Sequence, residues 1–216
     1  MAFLIPERPS LGPAQAHVDR WLAALADQLD SIAAELESDQ RELSPAEKHR
    51  WIATSRALGA LATEGRSHYA AALESLHFNP RARRVADKLV TLDRQLRWLG
   101  RLTIQIRAIS YTIDQLYDRP NLSPRLPRKD LVELIRGLAA MLRHRRAGID
   151  VEAESRAVEH RLVAAIDELT GGANDARAVL ESLSLLGRLD QLRKEIASDP
   201  TKMQADIEAA EFDTSP

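Results

Sequence analysis

Apolar side chains return every three or four positions through most of the chain, and the longest unbroken stretch of that pattern runs from Pro80 to Tyr117. Within it Val85, Leu89, Leu92, Leu96, Leu99, Thr103, Ile106, Ser110, Ile113 and Tyr117 advance by alternating steps of four and three. That is the seam of a helix packed against other long helices. No proline interrupts the interior and Gly100 is its one glycine. At about 1.5 Å per residue the spacing predicts one helix on the order of 55 Å over residues 80–117. A rod of that length suggests an elongated bundle.

The same periodicity places five further helices. The first runs from about Pro13 to Ser38, with Val18, Trp21, Leu22, Leu25, Leu29, Ile32 and Leu36 on one stripe. Ser44-Pro45-Ala46-Glu47 has the form of a helix start: a capping serine, a proline at the first helical position and a glutamate three residues after the cap. The second helix then carries Trp51, Ser55, Leu58, Ala62, Gly65, Tyr69, Ala72 and Leu76, whose small middle residues would let a neighbour approach closely. Asn79-Pro80 ends it and opens the long third helix. Three prolines between Arg119 and Pro127 mark residues 118–127 as a linker.

The fourth helix, about 128–146, turns Leu131, Leu134, Ile135, Leu138, Met141 and Leu142 inward and ends in a basic turn before Gly148. Asp150 is a candidate cap for the fifth, which carries Val151, Val158, Leu162, Ala165, Ile166 and Leu169 and stops at Gly171-Gly172. The sixth, Asp175 to Ser198, buries Val179, Leu183, Leu186, Leu189, Leu192 and Ile196. The one β-favouring run, Leu102-Thr103-Ile104-Gln105-Ile106, falls inside the long seam. The expected fold is therefore all-α: an elongated helical bundle of about six helices over residues 13–198, followed by an acidic flexible tail at 199–216.

Composition narrows what such a bundle can do. Aromatic residues make up only 4% of the 216, so the core must be built from aliphatic side chains. Lys+Arg number 30 against Asp+Glu 32, a balance that argues against general attraction to nucleic acid. The absence of cysteine removes disulfides, thiolate metal sites and cysteine nucleophiles together. No run of about 18 uncharged apolar residues exists, so nothing in the chain would span a bilayer as a helix by itself. The chain taken alone is expected to be soluble.

The motifs of catalysis are missing. There is no phosphate-cradling glycine loop and no nucleophile elbow, and Gly171-Gly172 reads as a helix stop. A di-iron bundle needs two Glu-x-x-His tetrapeptides and two more glutamates. Only Glu74-Ser75-Leu76-His77 fits, as one such tetrapeptide does by chance. The six histidines, His17, His49, His68, His77, His144 and His160, form no zinc motif, and Glu64 with His68 reads as an exposed helix pair. No catalytic residue, cofactor or metal ligand is assigned. Basic residues cluster at Arg81-Ala82-Arg83-Arg84, at Arg94, Arg97 and Arg101, and at Arg143-His144-Arg145-Arg146. The middle row, with Trp98 beside it, would suit carboxylate or lipid headgroups unless neighbouring acids neutralise it. Trp21 and Trp51 lie on apolar stripes and read as core anchors.

In its start and helix order the chain resembles the soluble region of the aromatic acid exporter, or fusaric acid resistance, family of bacteria. Phe3-Leu4-Ile5-Pro6-Glu7-Arg8-Pro9 looks like the point where a transmembrane helix leaves the bilayer. An alanine- and leucine-rich helix follows, then a second ending in His77-Phe78-Asn79-Pro80-Arg81-Ala82-Arg83-Arg84. The long helix has Arg97-Trp98-Leu99-Gly100-Arg101 and Arg107-Ala108-Ile109. The resemblance covers about residues 3–198. It implies that residues 1–12 are a membrane-proximal stub and that the whole is a non-catalytic cytoplasmic domain of an inner-membrane exporter of aromatic carboxylic acids. It would act in assembly or regulation at the cytoplasmic face. The partners so implied are a transmembrane domain of the same polypeptide, other copies of the chain and an aromatic acid ligand. Self-association is also expected from Leu102, Ile109 and Leu116, which add a second apolar stripe beside the seam.

Two other readings compete. One is a free helical-bundle adaptor or regulator, with metal binding through acidic helix motifs as one version of it. The other is an enzyme acting through two metals or on a lipid, for which the lone Glu-x-x-His is the sole support.

Overall fold

The structure, a computed structural model, describes residues 12–38, 50–77, 83–117, 126–171, 176–198 and 200. Among these the fold is all-α, with six helices: α1 Gly12–Glu37, α2 Arg50–His77, α3 Arg83–Tyr117, α4 Arg128–Arg146, α5 Glu152–Gly171 and α6 Ala176–Ala197. The expected starts at Ser44-Pro45 and Asn79-Pro80, residues 1–11 of the stub, residues 118–125 of the linker and residues 199 and 201–216 of the tail lie outside the described residues, while Gly12 of the stub opens α1. So do the side chains of Trp51, Leu76, His77, Arg83, Arg84, Val85 and Tyr117.

The long seam does make one helix. α3 runs 35 residues without a break, about 52 Å at the usual rise. Its β-favouring run is helical because the pattern of burial there has a period near 3.6: Leu102, Thr103 and Ile106 are buried while Ile104 stands 68% exposed.

Helices α1, α3, α6 and α4 pack in a ring, α1 on α3, α3 on α6, α6 on α4 and α4 back on α1. α2 lies against α1 and α3 on one side, and α5 lies against α4 and α6 on the other. One contiguous core threads all six, with Leu25, Leu29, Leu99, Ile106, Leu138 and Leu189 fully enclosed. Burying each such side chain contributes about 1.5–3 kcal/mol.

Local signals explain the ends. Pro127 precedes α4, whose first turn carries Asp130 and whose last carries Arg143, His144, Arg145 and Arg146, both favourable to the helix dipole. Gly148 adopts a φ of +71°. Its N–H donates to the Arg145 carbonyl at 3.1 Å, and the Ile149 N–H donates to the His144 carbonyl at 2.9 Å. This is a complete Schellman stop, which needs the left-handed conformation that glycine adopts without a Cβ penalty. The Val151 carbonyl accepts the first bond of α5, from the Ser155 N–H at 2.8 Å, so Val151 rather than Asp150 holds the cap position, while the Asp150 side chain accepts from the Glu152 N–H at 3.3 Å.

Two expectations about faces are corrected. Ile166 is 37% exposed rather than inward, because among the described residues α5 packs only on α4 and α6 and its buried stripe is the narrow one of Val158, Leu162, Ala165 and Leu169. The stripe Leu102, Ile109 and Leu116, read as surface for self-association, is buried within the chain. The ring closes helices around both sides of α3, so these three side chains meet the chain's own core.

Candidate functional site

Among the described residues several polar groups singled out by the sequence are engaged with acids or carbonyls of the chain itself. Trp98 is buried, and its Nε1–H donates to the Glu195 carbonyl at 2.7 Å. Arg101 Nε donates to the Glu195 carboxylate at 2.7 Å, and Arg97 pairs with Asp93 on its own helix. The Arg97 and Arg101 guanidiniums are thus matched by acids, and Arg101 clamps α3 to α6. In the third basic cluster Arg143 pairs with Asp30, His144 Nδ1 lies 3.0 Å from Glu154 Oε1, and Arg145 donates to the Ile196 and Ala197 carbonyls at the end of α6. Arg145 thereby satisfies carbonyls that a helix end leaves unpaired. The cluster Arg81 to Arg84 has no described side chains. In the Glu-x-x-His tetrapeptide Glu74 is exposed and the His77 side chain is not described.

Arg193 is a buried cation. It is 6% exposed, and its guanidinium donates to Asp190 Oδ1 at 3.0 Å and to Ser155 Oγ at 2.9 Å, with Glu159 at 3.4 Å. Partial burial pushes the Asp190 carboxyl upward, but hydrogen bonds from Lys194 and Arg193 outweigh it and hold the group below its ordinary value. These contacts tie α5 to α6. On the opposite side, the Tyr111 hydroxyl meets Arg56 and Arg107, and the Arg56 hydrogen bond draws its proton affinity down against the opposing effect of burial. A surface cleft of about 440 Å³ near the start of α1 is bordered by Gln15, Asp87, Lys88, Thr91 and Leu92. Its charges are mixed and converge on no point.

One cluster does converge. His17, on α1, is wholly buried, and Glu64 and His68 approach it from α2. The four-residue step from Glu64 to His68 puts both on one face of α2, and the packing of α1 on α2 brings His17 to that face. Glu64 Oε1 lies 3.7 Å from His17 Nδ1 and 3.4 Å from His68 Nε2. The two imidazoles are tilted at 51° with ring centres 5.3 Å apart. One potential ligand atom from each of the three residues lies within 4.8 Å of the other two.

The backbone fixes His17. Its Nε2 is 2.9 Å from the Leu61 carbonyl oxygen, which can only accept, so Nε2 carries a proton and Nδ1 is the ring nitrogen left facing Arg20 and Glu64. Arg20 Nη2, one turn along α1, stands 3.3 Å from His17 Nδ1 and 3.0 Å from Glu64 Oε1. The Arg20 guanidinium holds the Glu64 carboxyl below the usual carboxylate range; burial opposes this, and His68 and His17 add to it. Gly65 makes the approach possible, since a Cβ there would stand 3.0 Å from both His17 Nε2 and Leu96 Cδ2. The small stripe of α2 therefore admits an imidazole between α2 and α3.

In sequence Glu64 and His68 read as an exposed helix pair and no motif marks His17. The missed signal is a histidine on the inward stripe of α1, beside Val18 and Trp21, opposite a stripe of small residues on the next helix.

Compared with protein-family models, with curated proteins and with solved structures, the chain matches none. Among the described residues no helix is long and apolar enough to cross a membrane.

Proposed function

We propose that this chain is a non-catalytic helical module of a bacterial inner-membrane exporter of aromatic carboxylic acids, serving assembly or regulation at the cytoplasmic face. The observation that carries the reading is the order of parts: the apolar-then-charged segment Phe3 to Pro9, an alanine- and leucine-rich helix, a second helix, and one uninterrupted helix containing Arg97-Trp98-Leu99-Gly100-Arg101. Burial supports it. The apolar seams are consumed by packing, and Trp98, Arg101 and Arg193 are engaged in joining helices, as suits a scaffold. For an aromatic carboxylate, Arg56, Arg107 and Tyr111 offer two guanidiniums and a ring in one place.

The test is made in the native host. An antibody to this chain should detect a polypeptide well above 24.1 kDa that stays in the inner-membrane fraction after alkaline carbonate washing. Deleting the gene should sensitise cells to p-hydroxybenzoate. A band near the chain's own mass in the soluble fraction, with unchanged sensitivity, overturns the reading. That outcome would favour the second reading, a helical-bundle adaptor or regulator that binds metal, to which the His17, Glu64 and His68 cluster lends its one specific support.

A further inference from the structure

We propose that His17 Nδ1, Glu64 Oε1 and His68 Nε2 form a three-ligand site for a divalent cation, zinc by preference, and that Arg20 is the cation that holds the site when metal is absent. The inference is independent of the transport reading, because it rests on the α1–α2 contact alone.

The donor set selects the metal. Two imidazoles and one carboxylate suit zinc better than calcium or magnesium, which take oxygen ligands. In a tetrahedral site with bonds near 2.05 Å the ligand atoms stand about 3.3 Å apart. The two separations from Glu64 Oε1, 3.7 and 3.4 Å, already lie near that edge length. The third closes by a rotation of His68, which is partly exposed. His17 cannot rotate freely, and it has no need to. The Leu61 carbonyl fixes its proton on Nε2 and aims Nδ1 at the site, the outer-shell arrangement that orients ligating histidines. Glu64 and His68 face solvent on their other side, leaving a fourth position open to water.

Arg20 supplies the second, independent observation. Its Nη2 is within hydrogen-bond distance of two of the three donors, so positive charge already sits where they converge. The side chain is 60% exposed, and swinging it into water frees both donors without disturbing the core. The metal then binds the tautomer of His68 that has its proton on Nδ1, which leaves the Nε2 lone pair to coordinate.

The test uses the full chain freed of metal by chelator. Zinc is titrated against a chromogenic competitor at pH 7.5, and thermal unfolding is followed with and without zinc. The wild type should bind one zinc ion tightly and unfold at a higher temperature when loaded. Glu64→Gln and His68→Asn, both at partly exposed positions, should each weaken binding at least tenfold while unfolding normally without metal. Arg20→Met removes the competing cation and keeps every ligand, so it should tighten binding several-fold. A merely structural polar clasp would instead lose stability in that variant and gain no affinity. Cobalt in place of zinc should give the visible bands of a four-coordinate site. Zinc binding that Glu64→Gln and His68→Asn leave unchanged, or no binding by either the wild type or Arg20→Met at a hundredfold excess of zinc over protein, overturns the site. Equal or weaker binding by Arg20→Met alone overturns the role given to Arg20.

Discussion

A buried indole has one N–H to satisfy, and at Trp21 a single hydroxyl does so. Trp21 is 1% exposed; its Nε1–H donates to Thr103 Oγ1 at 3.0 Å, and Thr103 in turn donates to the Leu99 carbonyl at 2.9 Å. Thr103→Val keeps the volume and removes the acceptor, leaving a buried donor unpaired at a cost of about 1–3 kcal/mol. Chemical denaturation should show that loss with an unchanged slope, since the compactness of neither state changes. Thr103→Ser, which retains the hydroxyl, should recover most of it, and a neutral Thr103→Val would show that the bond contributes nothing. Trp21 was legible as a core anchor from its stripe, and Thr103 as a seam position. Their bond was not, because it joins residues 82 apart and periodicity assigns a residue to a face without naming what it meets. His17 was missed for the same reason. Its inward position is plain in the sequence, but the partners that make it chemical come from another helix.

At the scale of the helix, glycine tests packing and propensity against each other. Glycine in a helix interior is worse than alanine by about 0.8–1 kcal/mol. At Gly100, in the middle of α3, an added Cβ meets nothing within 4 Å, so Gly100→Ala should stabilise the protein by roughly that amount and raise the melting temperature by about 2–4 °C. At Gly137 on α4 the Cβ would stand 2.6 Å from Val158 Cγ2 on α5. Valine is stiff at χ1 and this one is buried, so α4 and α5 would have to separate. Overpacking costs about 1–3 kcal/mol, enough to reverse the propensity gain, and Gly137→Ala should melt below the wild type. Scanning calorimetry of the two variants decides, and the same sign for both would show that helix contact does not control the outcome. The helix ends that fall among the described residues were legible nearly to the residue, those of α4 at Arg128 and Arg146 among them, because proline, glycine and capping side chains punctuate a regular pattern. The partners of each helix were not: the second stripe of α3 looked free in sequence and is buried, since apolarity states that a face will be covered without saying by which helix.

At the scale of the whole molecule, the described residues form two sets of three helices consecutive in sequence, α1 to α3 and α4 to α6, and the question is whether they fold as one. The contacts answer in terms of the ring. α1 is shared, packing on α2 and α3 of its own set and on α4 of the other, while α3 lies along α6. Polar ties cross the same boundary: Arg101 and Trp98 of α3 hold Glu195 of α6, Arg143 of α4 pairs with Asp30 of α1, and Arg136 of α4 donates to Glu37 of α1 at 2.6 Å. The exposed ion pairs contribute about 0–1 kcal/mol each, so the coupling comes chiefly from the shared apolar core, where Leu25 and Ile32 of α1 are buried in one cluster with Leu134, Ile135 and Leu138 of α4. Removing either set of helices would expose that surface on the other, so each half depends on its neighbour for a closed core. Thermal unfolding should therefore be a single transition, with tryptophan fluorescence and far-ultraviolet circular dichroism giving coincident curves and the calorimetric enthalpy equal to the van't Hoff enthalpy. Trp21 reports on the α1–α3 contact and Trp98 on the α3–α6 contact, so early loss of either half would separate the fluorescence curve from the dichroism curve. Two resolved transitions would mean that the three-helix sets are stable apart and that the α1–α4 contact is a docking surface between them.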